Sequence, residues 1–170
     1  MRILVFSDNH GSLKELDHVL NNFKFDRIFG LGDFEVNKYE LEERGVFGVQ
    51  GNSPFDPDYL IDRICEIDGV NFLFTHGHTH QVRYSLLSLS LFSKKNNIDI
   101  AFYGHTHMAR IDEDNGIYFI NPGSISRPYY PSYPTCAIIE MDNSKILTKI
   151  IDAITFDVFK EICILKNGRS

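Results

Sequence analysis

Short apolar runs recur along the chain, and most break into a loop carrying Asp, Asn or His. Ile3-Leu4-Val5-Phe6 is continuous and partly β-branched, the pattern of a strand buried on both faces. It ends in Ser7-Asp8-Asn9-His10-Gly11. Ser12 and Glu15 then form a capping-box pattern, and Leu16, Val19, Leu20 and Phe23 at helical spacing predict an amphipathic helix over 13–23. A strand, a polar loop and a helix open a βαβ unit. Asp8 and His10 thereby fall at the carboxyl end of a strand, where open α/β sheets place ligands.

The same logic continues downstream. Arg27–Leu31 and Val46–Val49 read as strands around a short exposed helix over 36–44, and they end in Gly32-Asp33 and Gly51-Asn52. Pro54 and Pro57 keep 53–58 irregular. Residues 63–68 and 70–75 form two strands joined at Asp68-Gly69, a hairpin signal, and the second leads into His76-Gly77-His78-Thr79-His80. A crossover is then needed before the strand Asp99–Phe102, so 82–95 is expected to be helical although Leu87-Ser88-Leu89-Ser90-Leu91 alternates like a strand. That strand runs into Gly104-His105-Thr106-His107.

Beyond His107 strands alone are expected. Ala109–Asp112 and Ile117–Ile120 flank Asp114-Asn115-Gly116, and Asn121-Pro122-Gly123-Ser124 is a tight turn. Residues 125–134 form an irregular loop, and Cys136–Met141 and Lys145–Ile151 are two further strands. For 154–165 strand and helix fit equally.

Composition narrows the partners. At 170 residues the chain suits a single domain, expected to span 1–170. A net charge of −6 without a basic block argues against long nucleic acid as a partner. No stretch approaches a membrane span, and the first apolar run is too short for a signal-peptide core. Cys65, Cys136 and Cys163 are odd in number and lack a Cys-x-x-Cys spacing. Buried reduced thiols in a cytoplasmic protein are the expectation.

The strand-end loops together supply Asp8, His10, Asp33, Asn52, His76, His105 and His107. A lone His-x-His on a loop is weak evidence, but seven such ligands exceed what one ion needs. With Asp33 as a bridge, one ion takes Asp8, His10 and His107, and the other takes Asn52, His76 and His105. This mixed donor set suits Mn²⁺ foremost, then Ni²⁺, Zn²⁺ or Fe, over Ca²⁺ or Mg²⁺. Two metals roughly 3.5–4 Å apart clamp both oxygens of an in-line displacement, and a bridging water between them ionises near neutral pH.

The series Asp8-x-His10, Gly32-Asp33, Gly51-Asn52, His76-Gly77-His78 and Gly104-His105-Thr106-His107 resembles the calcineurin-like metallophosphoesterase superfamily. Asn121-Pro122-Gly123-Ser124 and the small size make it most similar to the compact bacterial and archaeal phosphodiesterase branch, which the retromer scaffold subunit of eukaryotes shares. The resemblance implies an α/β fold, a four-layer α/β/β/α sandwich of two mixed β-sheets flanked by helices. It also implies a binuclear centre and hydrolysis of small phosphodiesters through a metal-bridging hydroxide. A non-catalytic metal-binding scaffold and a nuclease of the same superfamily are the alternatives.

Departures from the family pattern bear on the rest of the site. Ser53 stands where the related protein phosphatases place a histidine, so His78 is the candidate to assist the leaving group. Asp33 and Asn52 join it as candidate catalytic residues. Asn9 and Arg127 are candidate phosphate contacts, Arg127 because a Pro-Arg pair of the branch appears here as Arg127-Pro128. Ser53-Pro54-Phe55-Asp56 differs from the Cys-Asp usual after the asparagine. His80 is expected to be solvated or to support a ligand, Ser124 to serve its turn, and His18 to have no site role. Tyr129, Tyr130 and Tyr133 suit a substrate wall, a subunit interface in a homo-oligomer, or plain loop packing.

Overall fold

The computed structural model describes residues 1–166; the last four residues of the expected 1–170 domain lie outside the described residues. In chain order the elements are β1 (Arg2–Phe6), α1 (Lys14–Asn22), β2 (Arg27–Gly30), α2 (Lys38–Glu43), β3 (Val46–Gly48), β4 (Asp62–Ile67) and β5 (Val70–Thr75). They continue with α3 (Leu87–Lys95), β6 (Ile100–Phe102), β7 (Arg110–Asp114), β8 (Ile117–Asn121), β9 (Thr135–Met141), β10 (Lys145–Asp152) and β11 (Val158–Leu165). The strands form a six-stranded sheet, β11-β10-β9-β1-β2-β3, and a five-stranded sheet, β4-β5-β6-β8-β7. Both are mixed: β1 runs parallel to β2 and antiparallel to β9, and β6 runs parallel to β5 and β8 while β7 is antiparallel.

The period-2 alternation of a strand assigns each residue to a layer. On β1, Ile3 and Val5 face the second sheet, where they meet Phe72, Phe74, Phe102 and Ile120. Leu4 and Phe6 face outward into a cluster with Leu16 and Val19 of α1 and Leu41 of α2. Leu73, Ala101 and Phe119 on the far face of the second sheet pack against Leu89 of α3. The result is the α/β/β/α sandwich expected from the family resemblance. Its inner layer is aromatic, with Phe29 stacked on Phe74 at 3.8 Å and Phe74 against Phe102 at 5.6 Å. Each fully buried phenylalanine stabilises this layer by about 2–3 kcal/mol.

Turn chemistry sets the hairpins. Asp68 and Gly69 (φ 49° and 76°) and Asn115 and Gly116 (φ 53° and 79°) all take left-handed backbone, which matches the right-handed twist of the flanking strands.

Three local expectations are corrected. The Ser12–Glu15 capping box is absent: the Ser12 hydroxyl donates to the Glu15 carboxylate at 2.9 Å, and Leu13 caps α1 without a side-chain bond. The reciprocal box instead forms on α2 between Asn37 and Glu40. Helix α3 begins at Leu87 rather than 82, because residues 78–84 are drawn into turns. There Val82 N–H bonds the Gly77 carbonyl, Gln81 sits at φ 55°, and His80 is anchored to Asp62 at 3.0 Å. The thiols are not all buried, since Cys163 on edge strand β11 is exposed.

Within the ambiguous stretch 154–165, Val158–Leu165 is strand β11, paired antiparallel with β10. Its Phe159 and Ile164 reach the inter-sheet layer. Among the described residues no helix is long and apolar enough to cross a membrane.

Candidate metal centre

Strands β1, β2 and β3 of one sheet and β5 and β6 of the other end on the same side of the sandwich. Their loops bring Asp8, His10, Asp33, Asn52, His76, His105 and His107 together. Ligand atoms of Asp8, His10 and His107 lie within 4.8 Å of one another, as do those of Asp33, His76 and His105. The amide oxygen of Asn52 is 3.0 Å from His76 Nε2, which places it with the second group.

The loops are built to hold these directions. Asp8, His10, Asp33, His105 and His107 all adopt left-handed backbone, with φ of 56°, 41°, 51°, 67° and 57°. A non-glycine residue held there costs of order 1–3 kcal/mol and persists only where surrounding bonds over-determine it. Those bonds are present. Asp8 N–H donates to the Gly32 carbonyl (3.1 Å) and His10 N–H to the Asp33 carbonyl (3.0 Å). Asn52 N–H and Ser53 N–H donate to Asp33 Oδ1 (2.8 and 2.9 Å). His105 N–H donates to Asp8 Oδ2 at 3.1 Å, and the Ser7 hydroxyl donates to the same oxygen.

Tautomers follow from the outward bonds. His76 Nδ1 donates to the Leu31 carbonyl and His107 Nδ1 to the Arg127 carbonyl, both at 2.6 Å. His10 Nδ1 donates to the Glu35 carboxylate at 2.8 Å. Each bond fixes Nδ1 as the donor and turns Nε2 inward. There His10 Nε2 meets His107 Nε2 at 3.1 Å, and His76 Nε2 meets His105 Nδ1 at 3.2 Å. Asp33 Oδ2 is 3.5 Å from His76 Nε2, and Asp8 Oδ1 is buried with no hydrogen-bond partner. Nitrogens and carboxylate oxygens crowded this closely could hold a cation between them, and the donor set is that of a borderline divalent ion.

Ionisation follows the same crowding. Burial opposes the charge on Asp8, but His107, with Nε2 3.2 Å from Oδ1, and the nearby His76 outweigh it and hold the carboxyl below its usual range. Asp33 is likewise held low, burial being overcome by His76. Burial, with His76 and Arg83 adding to it, pushes His105 down to about 4. Burial and His76 also lower His78, which is therefore a neutral ring at pH 7.

Other expected residues are placed differently. The Asn9 side-chain amide donates to the Ser12 and Phe34 carbonyls (3.1 and 3.0 Å), so it braces its own loop. Arg127 is exposed and contributes its carbonyl to His107. Ser124 Oγ donates to the Asp8 carbonyl at 2.7 Å, so it steadies a ligand loop as well as its turn. His80 is buried on Asp62, and His18 stacks on Phe156 away from the cluster. Tyr130 and Tyr133 pack edge-on against Phe159, while Tyr129 and much of Tyr130 are exposed.

Three residues near the cluster were not legible as site residues. Asp56 accepts the backbone N–H groups of Asp33 (2.7 Å), Phe34, Glu35 (3.1 Å) and Gly51 (2.8 Å), tying the Asp33 loop to the Asn52 loop. Arg83 reaches the His105 carbonyl at 3.4 Å on the rim. Glu35 backs His10. Of these only Glu35 carried a local signal, a second carboxylate just after Gly32-Asp33.

The chain is similar to several known proteins. A probable metallophosphoesterase of Bacillus subtilis, YsnB, is 27% identical over 154 residues, covering 89% of this chain and 91% of its own. The phosphodiesterase MJ0936 of Methanocaldococcus jannaschii is 26% identical over 166 residues, covering 85% and 96%. The crystal structure of a predicted phosphoesterase from Streptococcus pneumoniae TIGR4 superposes with a TM-score of 0.85 at 26% identity, covering 97% of each chain. Residues 1–144 match the calcineurin-like phosphoesterase superfamily domain, and the chain belongs to that family.

Proposed function

We propose that this chain is a two-metal phosphodiesterase acting on small phosphodiesters, working as one domain. The reading is carried by the inward convergence of Nε2 and carboxylate oxygens around the unpartnered Asp8 Oδ1. Asp8, His10 and His107 would hold one divalent cation, Asn52, His76 and His105 the other, with Asp33 shared between them. Mn²⁺ heads the candidates, since mixed imidazole, carboxylate and amide oxygen suits it. Bound there, the ions supply Lewis acidity toward the phosphoryl oxygens and a water acidic enough to attack at neutral pH.

The protein's own part is positional. Asp33 spends Oδ1 on two backbone N–H groups, which leaves Oδ2 aimed into the cluster. His78, half-buried beside His76 and His105, donates a hydrogen bond to the transferring group as a neutral ring. Without a stored proton for the leaving oxygen, the site favours diesters with good leaving groups. The diester assignment follows the archaeal relative, and the absence of a basic stripe weighs against a nuclease.

The test is hydrolysis of bis(p-nitrophenyl) phosphate by metal-stripped protein with Mn²⁺, Ni²⁺, Zn²⁺ or Mg²⁺ restored singly. Turnover should return with Mn²⁺ and fall at least about a hundredfold in Asp33→Asn, since even residues behind a ligand are worth 10–100-fold. No turnover with any ion, despite two bound per chain, would favour the scaffold. Faster cleavage of an oligonucleotide would favour the nuclease.

A further inference from the structure

The imidazoles of the cluster are not held alike. His76 and His107 turn Nδ1 onto backbone carbonyls, whereas His10 turns Nδ1 onto a side-chain carboxylate, that of Glu35. A carbonyl fixes the tautomer and the ring angle. A carboxylate does both and also sets a full negative charge behind the ring, which strengthens the opposite nitrogen as a metal donor. That nitrogen, His10 Nε2, lies 3.9 Å from Asp8 Oδ1 and 3.1 Å from His107 Nε2. The pair is shielded, with 10% of the His10 and 25% of the Glu35 side chain exposed, so water screens it only in part.

Glu35 is held in place at some expense. Its backbone sits at φ 54°, a conformation unfavourable for any residue but glycine, and its N–H is pinned to Asp56 Oδ1. The carboxylate that fixes the loop thus also aims Glu35 at His10. The Asp33–His76–His105 group has no counterpart to this bond: the outward bond of His76 goes to a neutral carbonyl.

We infer that Glu35 is a positioning residue that selectively strengthens cation binding at the Asp8–His10–His107 position. The inference rests on the two-metal reading above. It makes the two positions unequal, so that on chelation the Asp33–His76–His105 position empties first.

Metal-stripped wild type, Glu35→Gln and Glu35→Gly are titrated calorimetrically with Mn²⁺. Glycine removes the carboxylate and suits φ 54°, so the metal-free melting temperature should not drop. One of two binding events should weaken about ten- to hundredfold in Glu35→Gly, and by less in Glu35→Gln, which keeps an acceptor for Nδ1–H. The other event should stay within about twofold, as expected of a group that makes no contact there. In a His105→Ala background, where only the Asp8–His10–His107 position is whole, the loss should persist. Two unchanged events, two events weakened alike, or a loss that vanishes in that background overturns the role of Glu35. A wild-type chain that takes up no Mn²⁺ overturns the two-metal reading itself.

Discussion

The carboxylate of Asp56 accepts the backbone N–H of Asp33 at 2.7 Å, across 23 residues of sequence. The same oxygen takes Gly51 N–H, and the other takes those of Phe34 and Glu35. One side chain therefore sets the distance between the loops of Asp33 and Asn52. Asp56→Asn presents an NH₂ group to one pair of these donors. It should lower stability by about 2–4 kcal/mol, the scale of leaving charged-acceptor bonds unmade. Urea denaturation of metal-free protein measures this, and an unchanged midpoint would refute the clamp.

Gly104 passes so close to Ser7 that a Cβ there would overlap the Ser7 hydroxyl and press on Asp8 Oδ2. Gly104→Ala should force that hydroxyl away from Asp8 and cost about 1–3 kcal/mol. Adding Ser7→Ala makes room, so the double variant should be more stable than the sum of the two singles predicts. Strict additivity in thermal melts would show that the two residues do not compete.

Arg83 is an exposed cation at the rim, beside the His105 carbonyl. We predict that it meets an incoming phosphate and takes no part in the cleavage. Arg83→Ala should raise KM for bis(p-nitrophenyl) phosphate about tenfold, the loss expected for one charge-assisted hydrogen bond, with kcat little changed. A fall confined to kcat would contradict this.

Asp62 is held below the ordinary carboxylate range, because the His80 and Thr75 hydrogen bonds outweigh the upward push of burial. A carboxyl whose folded value is depressed adds stability in full above its unfolded value of about 4, and loses it as pH falls through the folded value. Asp62→Asn should therefore cost about 1 kcal/mol near pH 6, the scale of a partly exposed pair. The gap between the two proteins should begin to close below pH ~4, as Asp62 starts to take up its proton. Urea midpoints between pH 7 and pH 3 test the sign, and a gap that widens on acidification would reverse it.

The seven candidate ligands were legible because each closes a strand, so the local pattern that marks the strand also marks the loop. The continuous apolar run of β1 likewise announced a strand buried on both faces, but not which face meets which layer. Asp56 was not legible: its partners are backbone groups of a loop some twenty residues earlier, and nothing nearby in sequence points there. The start of α3 was missed for a related reason. The need for a crossover suggested a helix from 82, but Gly77 and the His80–Asp62 pair claim that stretch for turns. Ser12 and Glu15 had the right types for a cap, yet they bond each other instead of the backbone.

Asp33 hangs from the end of β2 in one sheet and His76 from the end of β5 in the other, 3.5 Å apart. The seam between those sheets is packed by Phe29 against Phe74 and their neighbours, and such contacts are non-directional. Stacked rings tolerate a small slide that a coordination polyhedron does not, since about 1 Å is enough to spoil a site. The cluster is thus a gauge of sheet alignment. A repacked Phe74, or a change at β11 that lets one sheet shear over the other, would register as lost metal affinity while the fold still melted where it did before.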